Sequence, residues 1–445
     1  MMLKPVLSWL PSSRMAGVRS VFWSTILLAP SAWLAADFRD ELYEVPDYAP
    51  FILDERVERE DYNFKYGPLM IDLIGTFGIE YDDNINTSEN NEVDDWILQP
   101  GVSFGLKWQI NEYQELDLNI GLEYWYYLDE SDLNDFDQQL NITPDTELSF
   151  RVLVGDMVFR VYDKINYTSD SSDAVVLDDM GNPVSSDATT FSRYTNVVGV
   201  QSEWYITEYA FKGQVSRKDV WSTEDEFEYI DRYEHKFALN VERDIAANFM
   251  AGVGASYTDF EYDEDVNDSG DVFTIGPYFD WGITEVISLY VGVAWNSADF
   301  DGDGLVSDEG EGFGDEDKYE EFSGTARLSH TVNEVYNHQL EVYRIPQMSD
   351  ASNYEELDGI RYSFAYNINS RVRLDGDVAY EESDSSGGLI DDDDYDRWVA
   401  GLATEVVLGP RLTGRFAYRY VDKDSDAPLR SYERNRFRIL FEYDF

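Results

Sequence analysis

Arginines near the C-terminus carry the most legible chemistry in this chain. Arg411, Arg415 and Arg419 recur every four residues, and Arg434, Arg436 and Arg438 every two. Both spacings place guanidinium groups on one face of an extended strand, because strand side chains alternate with period two. Arg361, Arg371 and Arg373 add a third group upstream. Paired N–H donors make guanidinium a match for carboxylate and phosphate, and rings of basic side chains favour anions. The same residues also suit an interior network of ion pairs with Asp375, Asp377, Glu381, Glu405 and Glu442. Both readings stand at this point.

The residues between these arginines decide what surrounds them. Leu412, Phe416, Tyr418 and Tyr420 alternate with the first series. Phe437, Ile439, Phe441, Tyr443 and Phe445 alternate with the second and end the chain on an aromatic. A strand that is oily on one side and charged on the other suits a transmembrane barrel with lipid outside and water inside. Arginine against lipid costs about 2–4 kcal/mol near the midplane, so the arginines are expected to line the lumen. The five terminal apolar residues are read as a C-terminal assembly signal. The expected partners are therefore outer-membrane lipid and the barrel assembly machinery.

A second chemistry is suggested by acidic residues. Asp299, Asp301, Asp303 and Ser307, with Gly304 between, follow the start of a calcium-binding EF-hand loop. The twelfth position is Gly310, flanked by Glu309 and Glu311, where a bidentate glutamate belongs, and no helices flank the loop. Calcium in the 299–311 loop is the one cofactor expectation, against the plainer reading of a solvated acidic loop. GVSFG (101–105) has the spacing of a serine-hydrolase elbow, but it lies inside an alternating strand and not on a strand-to-helix turn. The only histidines are His235, His330 and His338, and none accompanies a serine–acid pair. No enzyme is expected.

Composition agrees with a membrane barrel. The formal net charge of -57 argues against nucleic acid as a partner. No cysteine is present, so disulfides and thiolate metal sites are excluded. The 32 tyrosines suit membrane–water interfaces. Residues 1–36 read as a signal peptide: basic Lys4, Arg14 and Arg19, then the apolar VFWSTILLAP, then SAWLAA. Residues 37–68 read as a periplasmic extension or small plug, with Pro46, Pro50 and Pro68 as breakers. From residue 69 alternating runs follow one another, joined by short connections such as NEYQ (111–114) and INSR (368–371) in strict turn with long ones such as 300–317. This predicts an all-β, antiparallel up-and-down barrel of about 18 strands over 69–445, with the long loops extracellular. The strand near 335–348 is less regular, since Leu340 and Val342 point one way and Tyr343 and Ile345 the other.

GTFGIEYDDNIN (75–86) and LVGDMVFRVYDKINYTSD (153–170) resemble segments of the β-barrel porin type-2 family of bacterial outer-membrane proteins. Its members often accompany exopolysaccharide gene clusters. The resemblance implies a role in polymer export or surface retention and transfers no site residue. The expectation is an outer-membrane channel passing anionic solutes or acidic exopolysaccharide through an arginine-lined lumen. The alternative is a closed barrel whose acidic loops bind calcium, surface polysaccharide or a partner.

Overall fold

The structure is a computed structural model. It describes residues 62–130, 133–134, 139–171, 176–177, 183–185, 190–264, 267–301, 318–348, 353–386 and 394–445. The expected signal peptide and most of the expected extension lie outside these residues.

The alternating runs form eighteen antiparallel strands that close into one barrel. They are β1 (Leu69–Asp82), β2 (Asp95–Asn111), β3 (Gln114–Tyr124), β4 (Leu140–Ile142 and Glu147–Val154, interrupted between), β5 (Met157–Ser171) and β6 (Thr190–Ile206). Next come β7 (Tyr209–Ser222), β8 (Arg232–Ala246), β9 (Phe249–Tyr262), β10 (Gly270–Gly282), β11 (Ile287–Phe300) and β12 (Lys318–Asn333). The last six are β13 (Tyr336–Gln347), β14 (Tyr354–Asn369), β15 (Val372–Ser386), β16 (Tyr395–Val407), β17 (Leu412–Ser425) and β18 (Tyr432–Asp444). Each pairs with its neighbours in sequence, and β1 pairs with β18, from Ile74↔Asp444 to Asp82↔Arg436. Closure leaves the eighteen-stranded sheet without a free edge. A three-residue strand, Phe64–Tyr66, folds back on β1.

One end of the barrel has tight turns and the other long loops. At the turn between β4 and β5, Gly155 has φ +66°, a left-handed conformation that costs glycine little. At the long-loop end the β7–β8 connection contains a 3-10 helix, Asp225–Ile230, that buries Phe227, Tyr229 and Ile230. Neighbouring loops tie to it: Asn267 Nδ2 donates to Tyr229 O at 3.5 Å, and Asn353 Nδ2 to Asp268 Oδ2 at 2.9 Å.

Parity separates the two faces. On β16, Tyr395, Arg397, Val399 and Ala403 are buried while Trp398 and Leu402 are exposed. On β18, Arg434, Arg436 and Arg438 are buried while Phe437 and Tyr443 are exposed. The exposed set is apolar and so faces outward. Its aromatics gather toward both ends: Trp108, Trp204 and Trp281 near the tight turns, Trp96, Trp221 and Trp398 near the long loops. Inside, tyrosine rings lie over glycines of the next strand, Tyr162 on Gly199, Tyr278 on Gly252 and Tyr343 on Gly359. A Cβ at any of the three would collide with the ring.

The irregular strand is β13. Tyr343 turns inward and donates to the Glu381 carboxylate, while Val342 and Arg344 face out. Arg344 reaches Asp358 at 2.5 Å and Glu356 at 3.3 Å. Arg217 likewise faces outward, 2.6 Å from Asp219. Both lie toward the long-loop end with carboxylates beside them. The rule that sends arginine inward therefore holds along the middle of the strands and lapses near their ends.

Candidate functional site

The lumenal side chains differ around the barrel. From β2 to β13 inward cations lie beside carboxylates, some of which serve two cations: Glu115 takes Lys107 and Arg151, and Glu234 takes Lys218 and Arg232. Lys107 lies 3.3 Å from Glu115, Arg160 2.5 Å from Glu147, Lys212 3.0 Å from Glu242 and Arg327 2.7 Å from Glu341. From β16 to β18 the pattern changes. Arg397, Arg415, Arg419, Lys423, Arg434, Arg436 and Arg438 are all buried, seven cations on three adjacent strands. The same inward faces carry Val399, Ala403, Ala417, Val421 and Leu440, together with two carboxylates, Glu405, directly opposite Arg415 in the ladder, and Glu442. In the ladder Arg419 stands directly opposite Arg436. Like charges at such positions repel, so the wall depends on carboxylates close by, on these strands and on their neighbours.

Those carboxylates come from both sides. Arg434 donates from Nε and Nη2 to Asp82 Oδ2 at 2.9 and 2.6 Å, and Asp82 is fully buried. Arg438 reaches Glu123 at 2.9 Å and Glu80 at 3.8 Å. On the other flank Glu381 takes Arg397 at 3.0 Å and Arg361 at 3.8 Å. Cation–ring contacts extend the cluster, with Lys423 Nζ 4.2 Å and the Arg397 guanidinium 5.3 Å from the centre of the Tyr395 ring. The Tyr395 hydroxyl and Ser383 Oγ, the latter at 2.6 Å, both donate to Glu355. The wall is a run of guanidinium groups held at its margins by Asp82, Glu80, Glu123 and Glu381.

The expected arginines divide by position. Arg361, Arg415, Arg419, Arg434, Arg436 and Arg438 lie buried inside the barrel. Arg373 lies lower, 2.8 Å from Asp375 and about one-third exposed. Arg371 and Arg411 sit in tight turns and are exposed: Arg371 N donates to Asn369 Oδ1 at 2.9 Å, and Arg411 O accepts from Asp444 N at 2.9 Å. Parity counts them with the wall, but each chain bends before its strand begins. Arg397, Lys423, Asp82, Glu80 and Glu123 join the cluster although the arginine series did not single them out. The alternation of Arg397 with Trp398 and of Lys423 with Tyr420 obeys the same rule and could have found both cations. The acids come from distant strands, which alternation cannot link.

The terminal residues Phe437, Ile439, Phe441 and Tyr443 lie on the outward parity of β18, and Phe445 N donates to Leu73 O at 3.2 Å. Of the expected calcium ligands, Asp299 and Asp301 are described. Asp299 Oδ2 lies 2.8 Å from Lys318 Nζ. Asp303, Ser307, Glu309 and Glu311 lie outside the described residues.

No family model matches the chain, and no curated protein does. Among solved structures it is similar to a BenF-like porin from Pseudomonas fluorescens Pf-5, at 10% identity and a TM-score of 0.49, over 85% of this chain and 99% of that one. It is also similar to Pseudomonas aeruginosa OccK2 (OpdF), solved in complex with glucuronate, at 8% identity and a TM-score of 0.48, covering 85% and 98%. Pseudomonas aeruginosa OpdL matches at 10% identity and a TM-score of 0.46, covering 85% and 99%. The resemblance to the type-2 porins thus rests on segments 75–86 and 153–170 alone. What the geometry of this chain itself establishes is a closed, eighteen-stranded antiparallel barrel with one strongly basic interior wall.

Proposed function

We propose that this protein is a porin-like channel of the bacterial outer membrane, and that its basic wall carries anionic solutes. The supporting observation is the Arg419–Arg436 juxtaposition within seven clustered lumenal cations. A barrel of this strand number leaves room for an aqueous path. A guanidinium-rich wall lowers the cost of moving a carboxylate or phosphate off bulk water. The acidic loops at the mouth act over a short range, because charge is screened beyond about 8 Å at physiological salt. The wall therefore sets the preference of the path. Small sugar acids and acidic polysaccharide chains present the carboxylates this wall would accept. In liposome swelling, a sugar acid should enter faster than a neutral sugar of equal size. Arg419→Ser with Arg436→Ser should remove that advantage. Equal rates in the parent protein would refute anion transport.

The second reading is a closed barrel whose loops bind calcium, surface polysaccharide or a partner. It is favoured by the burial of Phe227, Tyr229 and Ile230 in the β7–β8 loop and by the ties from Asn267 and Asn353. This reading requires that no solute enters. Its calcium part also requires that calcium shields the 299–317 loop from protease.

A further inference from the structure

Two of the three histidines face each other on the outside of the barrel. His330 of β12 and His338 of β13 are directly opposite in the ladder, and His330 Nδ1 lies 3.0 Å from His338 Nε2. We propose that this pair is a two-nitrogen chelating site for a divalent transition cation of the copper, nickel and zinc class.

The rings are held in place. Their centroids are 5.1 Å apart at an interplanar angle of 61°. His338 stacks on Tyr336 at 5.5 Å and 24°, and lies 5.8 Å from Tyr362. The two tyrosine hydroxyls meet at 3.0 Å. The hairpin below is fixed by Asn333 Oδ1, which accepts from the N–H groups of Val335 and Tyr336 at 3.0 and 2.9 Å. Leu328, Val332 and Leu340, all exposed and apolar, surround the pair on the outer face. Two imidazoles close to the tight-turn end, in an aromatic girdle, are thus held with one nitrogen of each facing the other, so that a small rotation of the rings would direct both lone pairs at one ion.

The spacing suits a metal. Imidazole nitrogens bind such ions at about 2.0–2.1 Å. Two of them at a right angle stand about 2.9 Å apart, and at a tetrahedral angle about 3.4 Å. The observed spacing is nearer the first, the tetragonal arrangement of Cu2+ and Ni2+. Without metal the contact is an N–H···N hydrogen bond. On binding, the donor ring moves that proton to its other nitrogen, so both neutral rings present lone pairs and no proton need be lost. Water or a headgroup oxygen would complete the coordination. His235 stands apart, 3.8 Å from Asp259 on β9, and offers one imidazole only.

The test uses the full chain in detergent micelles with one equivalent of Cu2+. Its electron paramagnetic resonance spectrum should show a tetragonal centre split by two nitrogens. His330→Phe and His338→Phe should each abolish the two-nitrogen pattern and weaken Cu2+ binding at least tenfold, whereas His235→Ala should leave both unchanged. Phenylalanine suits the girdle, and heat-dependent gel mobility verifies that each variant is folded. The proposal is overturned if the parent chain shows no two-nitrogen centre, if both phenylalanine variants retain it, or if His235→Ala removes it.

Discussion

Asp82 and Arg434 join the first strand of the barrel to the last. They lie 352 residues apart in sequence, and two hydrogen bonds to one carboxylate oxygen hold them at 2.9 and 2.6 Å. The neighbouring residues repeat the connection. Asn435 donates from its backbone N–H and Nδ2 to Asp83 at 2.6 and 2.8 Å, and Asn84 Nδ2 donates to Glu433 O at 2.9 Å. The Asp82-Asp83-Asn84 run is therefore a seam at the long-loop end.

Breaking that seam should be costly. Asp82→Asn leaves the Arg434 guanidinium buried without its counter-charge, a change typically worth about 3–5 kcal/mol. The expected outcome is a large fall in the urea midpoint of the folded barrel, read as the band that shifts on boiling. Arg344→Gln removes an ion pair that is half in water and should cost less than about 1 kcal/mol, a small change in the midpoint.

Gly359 gives a second, purely steric test. A Cβ there would collide with the Tyr343 ring, so Gly359→Ala should destabilise the barrel by about 1–3 kcal/mol. Tyr343→Ala in the same chain clears the space. The double variant should then lose less than the sum of the two single changes. Additive losses in the same urea titration would remove the packing argument.

The long-loop end should respond to pH through Asp231. Burial pushes its carboxyl up to about 6, and the nearby Asp263 and Glu228 add to the rise, against the hydrogen bond from Ser222 N. A raised acid is favoured in its protonated form. The loop structure around it is thus most stable below the ordinary carboxylate range and weakens as pH rises through about 6. Protease should cut 223–231 more slowly at pH 5 than at pH 7.5. Asp231→Asn, which keeps an acceptor for Ser222 N, should make the two rates alike.

The last residue is expected to matter for assembly. Phe445 closes against β1 through its N–H to Leu73 O, and its ring approaches Gly75. Deleting Phe445 should lower the fraction of chain recovered in the heat-modifiable form, while Phe445→Trp should retain it. Equal recovery of the deletion and the parent would show that the terminal aromatic is dispensable.

Much of the architecture was legible because alternate residues of a barrel strand face opposite surroundings and so differ in polarity. That rule located nearly every strand, the turn asymmetry and the inward side of Arg415, Arg419 and Arg434. It misplaced Arg371 and Arg411, since parity has no meaning once the chain enters a turn. It also offered no guide to Arg344, which lies where outward charge meets water and carboxylates. The partners of the basic wall were beyond reach for a different reason. Glu381 was among the expected inward acids, but Asp82 and Glu123 meet their arginines only through closure and strand-to-strand register, which a local pattern does not encode.

The most direct measurement is the reversal potential of single channels in a planar bilayer under a potassium chloride gradient. The account predicts open channels with a potential of the sign set by chloride, moving toward zero in Arg419→Ser with Arg436→Ser. A potential of the sign set by potassium, or a barrel that never conducts, would contradict it.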